Sequence, residues 1–402
     1  MNKEQFPRVP YGSTVHGEEE IEAIIEVLRS STQMGSKVNL FEEKISKFFV
    51  KDFGLMTNSG TSALYIAIES LGLKEGSEVI TPALTFATTV ACLVKNGLIP
   101  SFVDVNEDTY CIDEGLIENA ISSKTKAVLA PDLLGNLCNW KNIKKIADKH
   151  NLLVLHDSAD TLGATLDDEY PGKYTDLSIT SFYGSHIING AGNGGMLCTS
   201  NAEVLRKGKL LRSWGRASST FEDSESIEER FNVKLEGIQY DAKFVFEELG
   251  YQLEPSEISA SFGLVQLNKL KSNIDLRRKF FNLHNEFFSN YEDIFILPKE
   301  NPQAHTGWLA YPLIVRDKAG FTRTDLQIFL EERNIQTRVV FTGNILRQPG
   351  FKKIRCIGKA DDFRNSDLVM RGGILVACHH GLNESLVNHI HSSFDLFIDK
   401  YK

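Results

Sequence analysis

The segment that decides the fold of this chain reads Ser181-Phe182-Tyr183-Gly184-Ser185-His186 and leads into a glycine-rich run that ends at Gly195. Upstream of it, the apolar run at residues 152–155 is followed by Asp157. A short apolar run of this kind indicates a buried strand. The sequence therefore predicts a strand end that carries a carboxylate, and a second segment that ends on an imidazole able to move protons at neutral pH.

Strand-like and helix-like segments alternate around these two motifs. They occupy residues 78–80, 87–96, 99–105, 116–121, 127–130, 140–150 and 152–155. This alternation predicts an α/β protein with a mainly parallel sheet and helices on both faces. Residues 178–183 and 195–199 are expected to form two further strands, joined by the glycine-rich turn.

The chain has 402 residues, which is too long for one small core. We expect a large domain at residues 1–270, and a small α+β domain at residues 271–402 that begins with a long helix. Whether the first thirty or so residues pack with the small domain stays open, because boundaries are the weakest part of such predictions. A charged, Ser/Glu-rich stretch at residues 217–229 is expected to be an exposed loop.

Composition and charge exclude several classes of protein. Hydrophobic residues make up 42% of the chain and the net charge is -9, with no basic run that would bind nucleic acid. No apolar stretch reaches the roughly 18 residues that a membrane helix needs, and the N-terminus lacks a signal-peptide core. We therefore expect a cytoplasmic protein without nucleic-acid or membrane partners. The six cysteines are scattered without a C-x-x-C pair, which favours buried thiols over a metal site.

A phosphate site is indicated where Gly60, Thr61 and Ser62 open a helix. A helix N-terminus offers N–H groups and the positive end of its dipole to a phosphate. A plain N-cap is the alternative, since Ser and Thr are favoured caps. Two more residues have ordinary alternatives of their own: Asp157 as a strand-end carboxylate and Phe86 as a core ring.

Taken together, these segments resemble the DegT-type sugar aminotransferase family, whose members depend on pyridoxal phosphate (PLP). The resemblance implies fold type I, the aspartate aminotransferase-like fold with a seven-stranded sheet in the large domain. It also implies a homodimer with active sites at the subunit interface. The motifs that carry it span nearly the whole chain: Val9-Pro10-Tyr11-Gly12, Ser59-Gly60-Thr61-Ser62-Ala63-Leu64, His156-Asp157-Ser158-Ala159-Asp160, Ser181 to Gly195, and Gly250-Tyr251-Gln252-Leu253-Glu254-Pro255.

The resemblance also assigns roles at the cofactor. Asp157 would pair with the pyridine nitrogen and keep the ring an electron sink, and Phe86 would stack on its face. Asp160 would contact the 3-hydroxyl or remain a solvated charge, and Gln252 would reach a phosphate in the partner subunit. The full set of implied cofactor contacts is Gly60, Thr61, Ser62, Phe86, Asp157, Asp160, Ser181 and Gln252.

The sixth residue of the Ser-Phe motif separates this chain from most of the family. That residue is usually a lysine that holds PLP as a Schiff base, and here it is His186. An imidazole cannot form the Schiff base, but it can act as an acid or base. The change resembles a branch of the family, the nucleotide-sugar 3-dehydratases. It implies that pyridoxamine phosphate (PMP) condenses with a keto sugar, and that His186 removes a proton while the neighbouring hydroxyl is expelled.

Two further segments resemble the same branch, and the first, Leu134-Gly135-Asn136, corresponds to its Leu-Gly-Asn. The stretch Gly343-Asn344-Ile345-Leu346-Arg347-Gln348-Pro349 is similar to its Gly-Asn-x-x-Arg-Gln-Pro motif. It implies that Asn344 and Arg347 contact the nucleotide-sugar substrate, together with Tyr183. A structural turn is the alternative reading of this stretch, since Asn and Gly favour turns.

The branch contains two kinds of enzyme. One carries a [2Fe–2S] cluster, and the other regenerates PMP from glutamate and releases ammonia. In this chain no cysteine follows Trp214-Gly215-Arg216 until Cys356, whereas four thiolates normally hold such a cluster. We therefore expect the glutamate-dependent kind, without a metal.

Four departures from the branch lie beside the cofactor. Gly184-Ser185 replaces Pro-Ala, Ile187 replaces a histidine, Asn193 replaces a glutamate and Gln252 replaces an asparagine. Glutamine still donates a hydrogen bond, but its extra methylene shifts the reach. These changes bear on the choice of nucleotide sugar and on the outcome of the reaction.

Two alternative functions stay open at this stage. An aminotransferase would need another lysine, and none lies between Lys173 and Lys207. A catalytically silent nucleotide-sugar-binding protein would have no need of Asp157 as a partner for a ring nitrogen. Loss of PMP affinity without loss of folding would support this second alternative.

Overall fold

The computed structural model describes residues 5–221 and 223–401. Its strands, in chain order, are β1 (Phe53–Thr57), β2 (Glu78–Pro82), β3 (Ile99–Val103), β4 (Thr125–Pro131), β5 (Leu153–Asp157), β6 (Thr165–Leu166), β7 (Leu177–Ser181), β8 (Gly195–Thr199), β9 (Val233–Leu235), β10 (Ile238–Tyr240), β11 (Phe295–Ile296), β12 (Ala304–His305), β13 (Ala310–Val315), β14 (Arg338–Val339) and β15 (Gly373–Ala377). The α-helices, in chain order, are α1 (Glu18–Leu28), α2 (Ser36–Phe48), α3 (Gly60–Ser70), α4 (Ala87–Lys95), α5 (Trp140–His150), α6 (Ala202–Arg212), α7 (Ile227–Phe231), α8 (Glu257–Asn268), α9 (Leu270–Phe288), α10 (Arg323–Glu332), α11 (Arg364–Gly372) and α12 (Glu384–Ile398).

A seven-stranded sheet dominates the first half of the chain, in the order β1-β8-β7-β5-β4-β2-β3. The strands from β7 to β3 are parallel, and β8 is antiparallel to both β7 and β1. The prediction of a mainly parallel seven-stranded sheet is therefore confirmed. The predicted pairing across the glycine-rich turn is also present, with Ser181 opposite Gly195.

Side chains of the central strands pack alternately into two hydrophobic layers. In β4, Ala127 and Leu129 contact the layer formed with α3, α4 and α6, whereas Val128 and Ala130 contact the layer formed with α5. Successive side chains of a strand point to opposite faces, so a strand buried on both sides needs a continuous apolar run. This requirement explains why β4 and β5 are recognisable in the sequence as unbroken hydrophobic segments.

The C-terminal part forms a four-stranded sheet in the order β11-β13-β15-β14, packed against α9, α10 and α12. The N-terminal segment reaches this part, because Val9 forms a parallel bridge with Ile335. Helix α9 begins at Leu270, close to the expected boundary. The division into domains at residue 270 stays a prediction.

Two local predictions are wrong. Residues 217–229 are not an exposed loop throughout, since Ala217–Thr220 forms a 3-10 turn in which Ala217 and Ser218 are buried. The Ala217 N–H donates to the Val245 carbonyl, a partner that local sequence does not reveal. Residues 116–121 do not form an α-helix, because Glu114–Leu116 and Glu118–Ala120 are two short 3-10 turns.

The cysteines follow the predicted pattern. All six are free thiols; Cys356 is half-buried and the other five are buried. Within residues 5–221 and 223–401, no group of three or more His, Cys, Asp or Glu side chains is arranged to hold a metal ion. Over the same residues, none of the helices has the length and apolar character needed to cross a membrane.

Candidate active site

A cavity of about 470 Å³ lies at the carboxyl edge of the parallel strands. Open parallel sheets bind ligands at this edge, because loops from neighbouring strands converge there. Ends of β5 and β7 contribute Asp157 and Ser181, and the turn after β2 contributes Phe86. The predicted residues that line the cavity are Gly60, Thr61, Phe86, Asp157, Asp160, Ser181, Tyr183 and His186.

Asp157 is the last residue of β5 and is almost fully buried. Its Oδ2 accepts from the Thr89 hydroxyl at 2.8 Å, and its Oδ1 accepts from the Ala159 N–H at 3.2 Å. Burial raises the pKa of this carboxyl, although both hydrogen bonds favour the charged form. Among the residues that the structure describes, no cation forms an ion pair with it, so a protonated ring nitrogen would supply the missing partner.

The N-terminus of α3 forms one end of the cavity. Ser59 caps the helix, and its Oγ accepts from the Ser62 N–H at 3.1 Å. Gly60 lies so close to Ser181 that an added Cβ would be 2.7 Å from the Ser181 Cβ. Ser62 lines a second, adjoining cavity instead of the main one, and its hydroxyl donates to Asn58 Oδ1 at 2.6 Å. Gly60, Thr61 and Ser181 thus lie where N–H and hydroxyl groups can hold a phosphate.

Phe86 forms a wall of the cavity and is 52% exposed. Its ring meets Phe341 edge to face, with 5.9 Å between centroids. The alternative interpretation of Phe86 as a core residue is therefore wrong. A large exposed ring beside a buried carboxylate fits a planar aromatic ligand, because such a ligand would cover its face.

His186 is held in one tautomer by the main chain. Its Nδ1 lies 3.1 Å from the Ser181 carbonyl, an acceptor that requires the proton on Nδ1. Burial lowers the pKa of the imidazole to about 4, so the ring is neutral at pH 7. Its Nε2 therefore carries a lone pair, 3.6 Å from Asp160 Oδ1. This arrangement presents a neutral base at the cavity wall.

Asp160 is buried beside this base. Its Oδ2 accepts from the Leu134 N–H at 3.0 Å. Burial, reinforced by the negative charge of Asp157, raises the pKa of Asp160 to about 7. The alternative interpretation of Asp160 as a solvated charge is therefore wrong. A carboxyl with this pKa exchanges a proton readily at neutral pH.

Four predicted residues lie outside the main cavity, namely Ser62, described above, and Asn344, Arg347 and Gln252. The Asn344 amide donates to the Ala360 carbonyl at 2.8 Å and to Asp367 at 2.9 Å. Arg347 pairs with Asp367 and Asp361. Gln252 is exposed and forms a main-chain bridge with Ser213. Contacts of Asn344 and Arg347 with substrate, and of Gln252 with a partner subunit, stay predictions.

Sequence reasoning missed several residues that line the cavity, namely Tyr11, Asp132, Leu309 and Phe341. Tyr11 belongs to an N-terminal motif of the resemblance, which was the available signal. Asp132 follows β4 directly, so the argument used for Asp157 would have found it. Leu309 and Phe341 come from the C-terminal part and carry no local signal.

The fold and this site define an α/β protein of PLP fold type I. A model of the DegT/DnrJ/EryC1/StrS aminotransferase family matches residues 14–395. The chain belongs to this family.

Several relatives share most of their length with the chain. It is 32% identical to the lipopolysaccharide biosynthesis protein RfbH of Salmonella typhimurium, over 97% of this chain and 91% of that protein. It is 32% identical to dTDP-4-dehydro-2,6-dideoxy-D-glucose 3-dehydratase of Saccharopolyspora spinosa, over 98% and 87%. The solved structure of E. coli GDP-4-keto-6-deoxy-D-mannose-3-dehydratase with bound hydrated PLP superposes with a TM-score of 0.87 at 25% identity, over 96% and 99%. The relatives also include two proteins named GDP-perosamine synthase, from Escherichia coli O157:H7 and Caulobacter vibrioides.

Proposed function

We propose that this protein is a PMP/PLP-dependent 3-dehydratase of a nucleotide-linked 4-keto-6-deoxyhexose. One observation carries the proposal: His186 occupies the cavity wall where the family's Schiff-base lysine is expected. Among the described residues that line this cavity, none is a lysine. A neutral imidazole in that place supports proton transfer, and it cannot anchor the cofactor covalently.

The residues of the cavity fit PMP as the cofactor. Asp157 would pair with the ring nitrogen, Phe86 would stack on the ring, and Gly60, Thr61 and Ser181 would hold the phosphate. When bound, PMP supplies an amine that condenses with the 4-keto group and a ring that accepts electrons. Among the described residues Asp157 has hydrogen-bond donors but no ion-pair partner, which supports this assignment, because burial of a carboxylate without a counter-charge is costly.

His186 is proposed as the acid/base. Its Nε2 accepts the proton whose removal drives loss of the C3 hydroxyl, while the Ser181 carbonyl keeps Nδ1 protonated and the ring in place. Asp160, with a pKa of about 7, lies next to Nε2 and is suited to exchange that proton. In the net reaction a C–OH bond becomes C–H, and glutamate is oxidised to 2-oxoglutarate with release of ammonia.

An aminotransferase reaction has less support from the structure. Lys173, the lysine that precedes the Ser-Phe motif, pairs with Glu169 at 2.5 Å on the surface and does not line the cavity. A covalent anchor for PLP would need a lysine amine that reaches the cavity. The family is described as an aminotransferase family, which keeps this reaction as the second candidate, and the experiment below separates the two.

We also propose that the active form is a homodimer, as the family resemblance implies. Gln252 is exposed and lies outside the cavity of its own chain, which suits a contact with the partner's site. The neighbouring Leu249 is 94% exposed, and Tyr251 is also exposed. Phe244 and Phe246, nearby in sequence, are exposed as well, and a patch of exposed apolar side chains is typical of a surface that another protein covers.

Mass spectrometry of the sugar products tests the proposed function. Purified protein is incubated with PLP, glutamate and either GDP-4-keto-6-deoxy-D-mannose or dTDP-4-dehydro-2,6-dideoxy-D-glucose. We expect one of these sugars to become lighter by one oxygen atom, only when glutamate is present. His186→Asn should abolish the product, whereas the surface control His150→Asn should retain it.

Three other outcomes would contradict the proposal. A product in which the ketone has become an amine would show transamination. If neither sugar changes while the protein folds and binds PMP, the proposed substrate class is wrong. A folded protein that does not bind PMP would indicate a silent binding protein.

A further inference from the structure

Arg277 is a buried cation without a carboxylate partner. It lies in the middle of α9, its relative exposure is 0%, and none of the ion pairs among the described residues includes it. Burial lowers its pKa to about 10, so it remains charged at neutral pH. A buried charge is costly unless hydrogen bonds compensate it fully. The groups that accept hydrogen bonds from Arg277 therefore indicate its role.

The guanidinium donates to two segments that are distant in sequence and that both contribute residues to the cavity lining. One terminal nitrogen donates to the carbonyls of Ser185 and His186, at 3.0 and 3.3 Å. The other donates to the carbonyls of Trp308 and Leu309, at 3.0 and 3.2 Å. The rigid planar fork of arginine suits this task, because one side chain fixes two segments in a defined geometry.

Two further hydrogen bonds link Leu309 to Asp160, the residue whose carboxyl faces His186. The Leu309 N–H donates to the Leu134 carbonyl at 2.8 Å, and the Leu134 N–H donates to Asp160 Oδ2 at 3.0 Å. The other oxygen, Asp160 Oδ1, lies 3.6 Å from His186 Nε2. Hydrogen bonds through Arg277, Leu309 and Leu134 thus connect the backbone of His186 to the carboxylate of Asp160.

The third donor of Arg277 is also engaged. Its Nε donates to His380 Nδ1 at 3.1 Å, so His380 orients the guanidinium from behind. His380 does not line the cavity. Arg212 offers a useful contrast, because this equally buried arginine pairs with Glu42 in the ordinary way and lies outside the cavity.

We propose that Arg277 is a positioning residue that sets the distance between His186 Nε2 and Asp160. The catalytic role of this positioning rests on the proposed function. The distance between the two side chains is a property of the protein itself and does not depend on that function. A lysine at this position keeps the charge and loses the fork, so it cannot hold the Ser185–His186 and Trp308–Leu309 carbonyls together.

The first test follows the titration of His186 by NMR in cofactor-free protein labelled at histidine. The His186 signal is assigned by its loss in His186→Asn. The groups that face this ring are Asp160, Tyr183 and Arg277 itself. In Arg277→Lys we expect the pKa of His186 to rise from about 4 toward about 6.5, because a loosened loop admits water. Arg212→Lys, the matched control, should leave the titration unchanged.

The second test is turnover of the loaded enzyme. In Arg277→Lys we expect kcat to fall roughly a hundredfold, while KM for the nucleotide sugar changes little, because misplacement of a reacting group acts on the chemical step. Arg212→Lys should retain kcat. The NMR result does not depend on turnover, so a failure of the proposed dehydratase activity would leave the positioning role separately measurable.

The His186 titration decides between positioning and a merely structural role. The proposal would be overturned by a folded Arg277→Lys variant whose melting temperature falls as much as that of Arg212→Lys but whose His186 titration is unchanged. If Arg277→Lys does not fold, His380→Leu decides, since it removes only the acceptor for Nε. In His380→Leu, a rise in the pKa of His186 that is smaller than the rise expected for Arg277→Lys would support positioning. An unchanged titration in folded His380→Leu would contradict it.

Discussion

At the scale of single residues, the site combines two titratable groups whose pKa values are shifted in opposite directions. Burial keeps His186 neutral, with a pKa of about 4, and keeps Asp160 partly protonated, with a pKa of about 7. Each group avoids charge because the cavity wall is poorly solvated. The pair therefore places one mobile proton beside one free lone pair at pH 7. Groups whose pKa values are perturbed in this way in a cleft are typical of acid/base chemistry.

Asp160→Asn is predicted to stabilise the protein at high pH. The raised pKa means that the unfolded chain releases this proton near pH 4 and the folded chain only near pH 7, so the contribution of Asp160 to wild-type stability falls as pH rises between those values. An amide has no such proton, and its oxygen can still accept from Leu134. We expect the free energy of unfolding of Asp160→Asn to exceed that of wild type by on the order of 3 kcal/mol at pH 8.

Urea unfolding at pH 4 and pH 8 measures this difference. The gain should be small at pH 4 and should grow as pH rises to about 7. Asp168→Asn, on an exposed turn, is the surface control. A gain of the same size at both pH values would contradict a raised pKa for Asp160.

At the scale of elements, α3, β7 and β8 approach each other more closely than most side chains allow. A Cβ at Gly195 would be 2.2 Å from the Ser59 carbonyl oxygen, and a Cβ at Gly60 would be 2.7 Å from the Ser181 Cβ. Glycine at both positions lets the start of α3 lie against the ends of β7 and β8. This contact brings Gly60 and Ser181 to the same end of the cavity.

Gly60→Ala should weaken cofactor binding by moving α3 away from Ser181. Insertion of a methyl group into a tight contact typically costs about 1–3 kcal/mol of stability. Since the displaced helix end is part of the proposed phosphate site, we expect the Kd for PMP to rise roughly tenfold or more, by about 1.4 kcal/mol. Isothermal titration calorimetry measures this Kd.

Gly350→Ala is the matched control, because an added Cβ there meets nothing within 4 Å. It should leave the Kd for PMP and the melting temperature unchanged. An unaltered Kd in Gly60→Ala would show that this end of the cavity does not hold the phosphate.

At the scale of the whole molecule, buried and half-buried histidines of the C-terminal part couple folding to pH. Burial lowers the pKa of His284 and His380 to about 3, and of His379 and His391 to about 4. His284 Nε2 lies 3.0 Å from the Ala377 carbonyl, so it donates there and Nδ1 accepts from His391 Nε2, also at 3.0 Å. Protonation of His284 would place two donors against each other. The neutral forms are therefore part of the packing.

The contribution of these histidines to stability is predicted to fall as pH drops from about 6.5 to about 4. Their lowered pKa values mean that the unfolded chain binds protons in this range before the folded chain does, so this contribution is complete above about pH 6.5 and is lost below it. It opposes the contribution of Asp160 in the same pH range, and the comparison of wild type with His391→Gln isolates it. Urea unfolding between pH 7.5 and pH 5 measures the loss. We expect His391→Gln, whose amide still donates to His284, to reduce the loss at pH 5 by about 1 kcal/mol. An equal loss in wild type and His391→Gln would contradict this role of His391.

The sequence alone determined the main features of the fold and two residues of the proposed chemistry, Asp157 and His186. The apolar runs of β4 and β5 predicted buried parallel strands, because a strand covered on both faces must be hydrophobic at every position. The strand-end position of Asp157 and the imidazole of His186 are likewise readable from the chain. Both are local properties, set by residue type and spacing.

Only the tertiary structure decided the environment of the site. Leu309 and Phe341 line the cavity from segments distant in sequence, and Arg277 donates to the His186 carbonyl from another such segment. No local pattern assigns these three residues to one site. The pKa values of His186 and Asp160 depend on desolvation, which arises when those distant segments exclude water. The buried start of residues 217–229 was missed for the same reason, since its partner, Val245, comes from another part of the chain. Burial depends on long-range packing, and a local reading of residue types does not contain it.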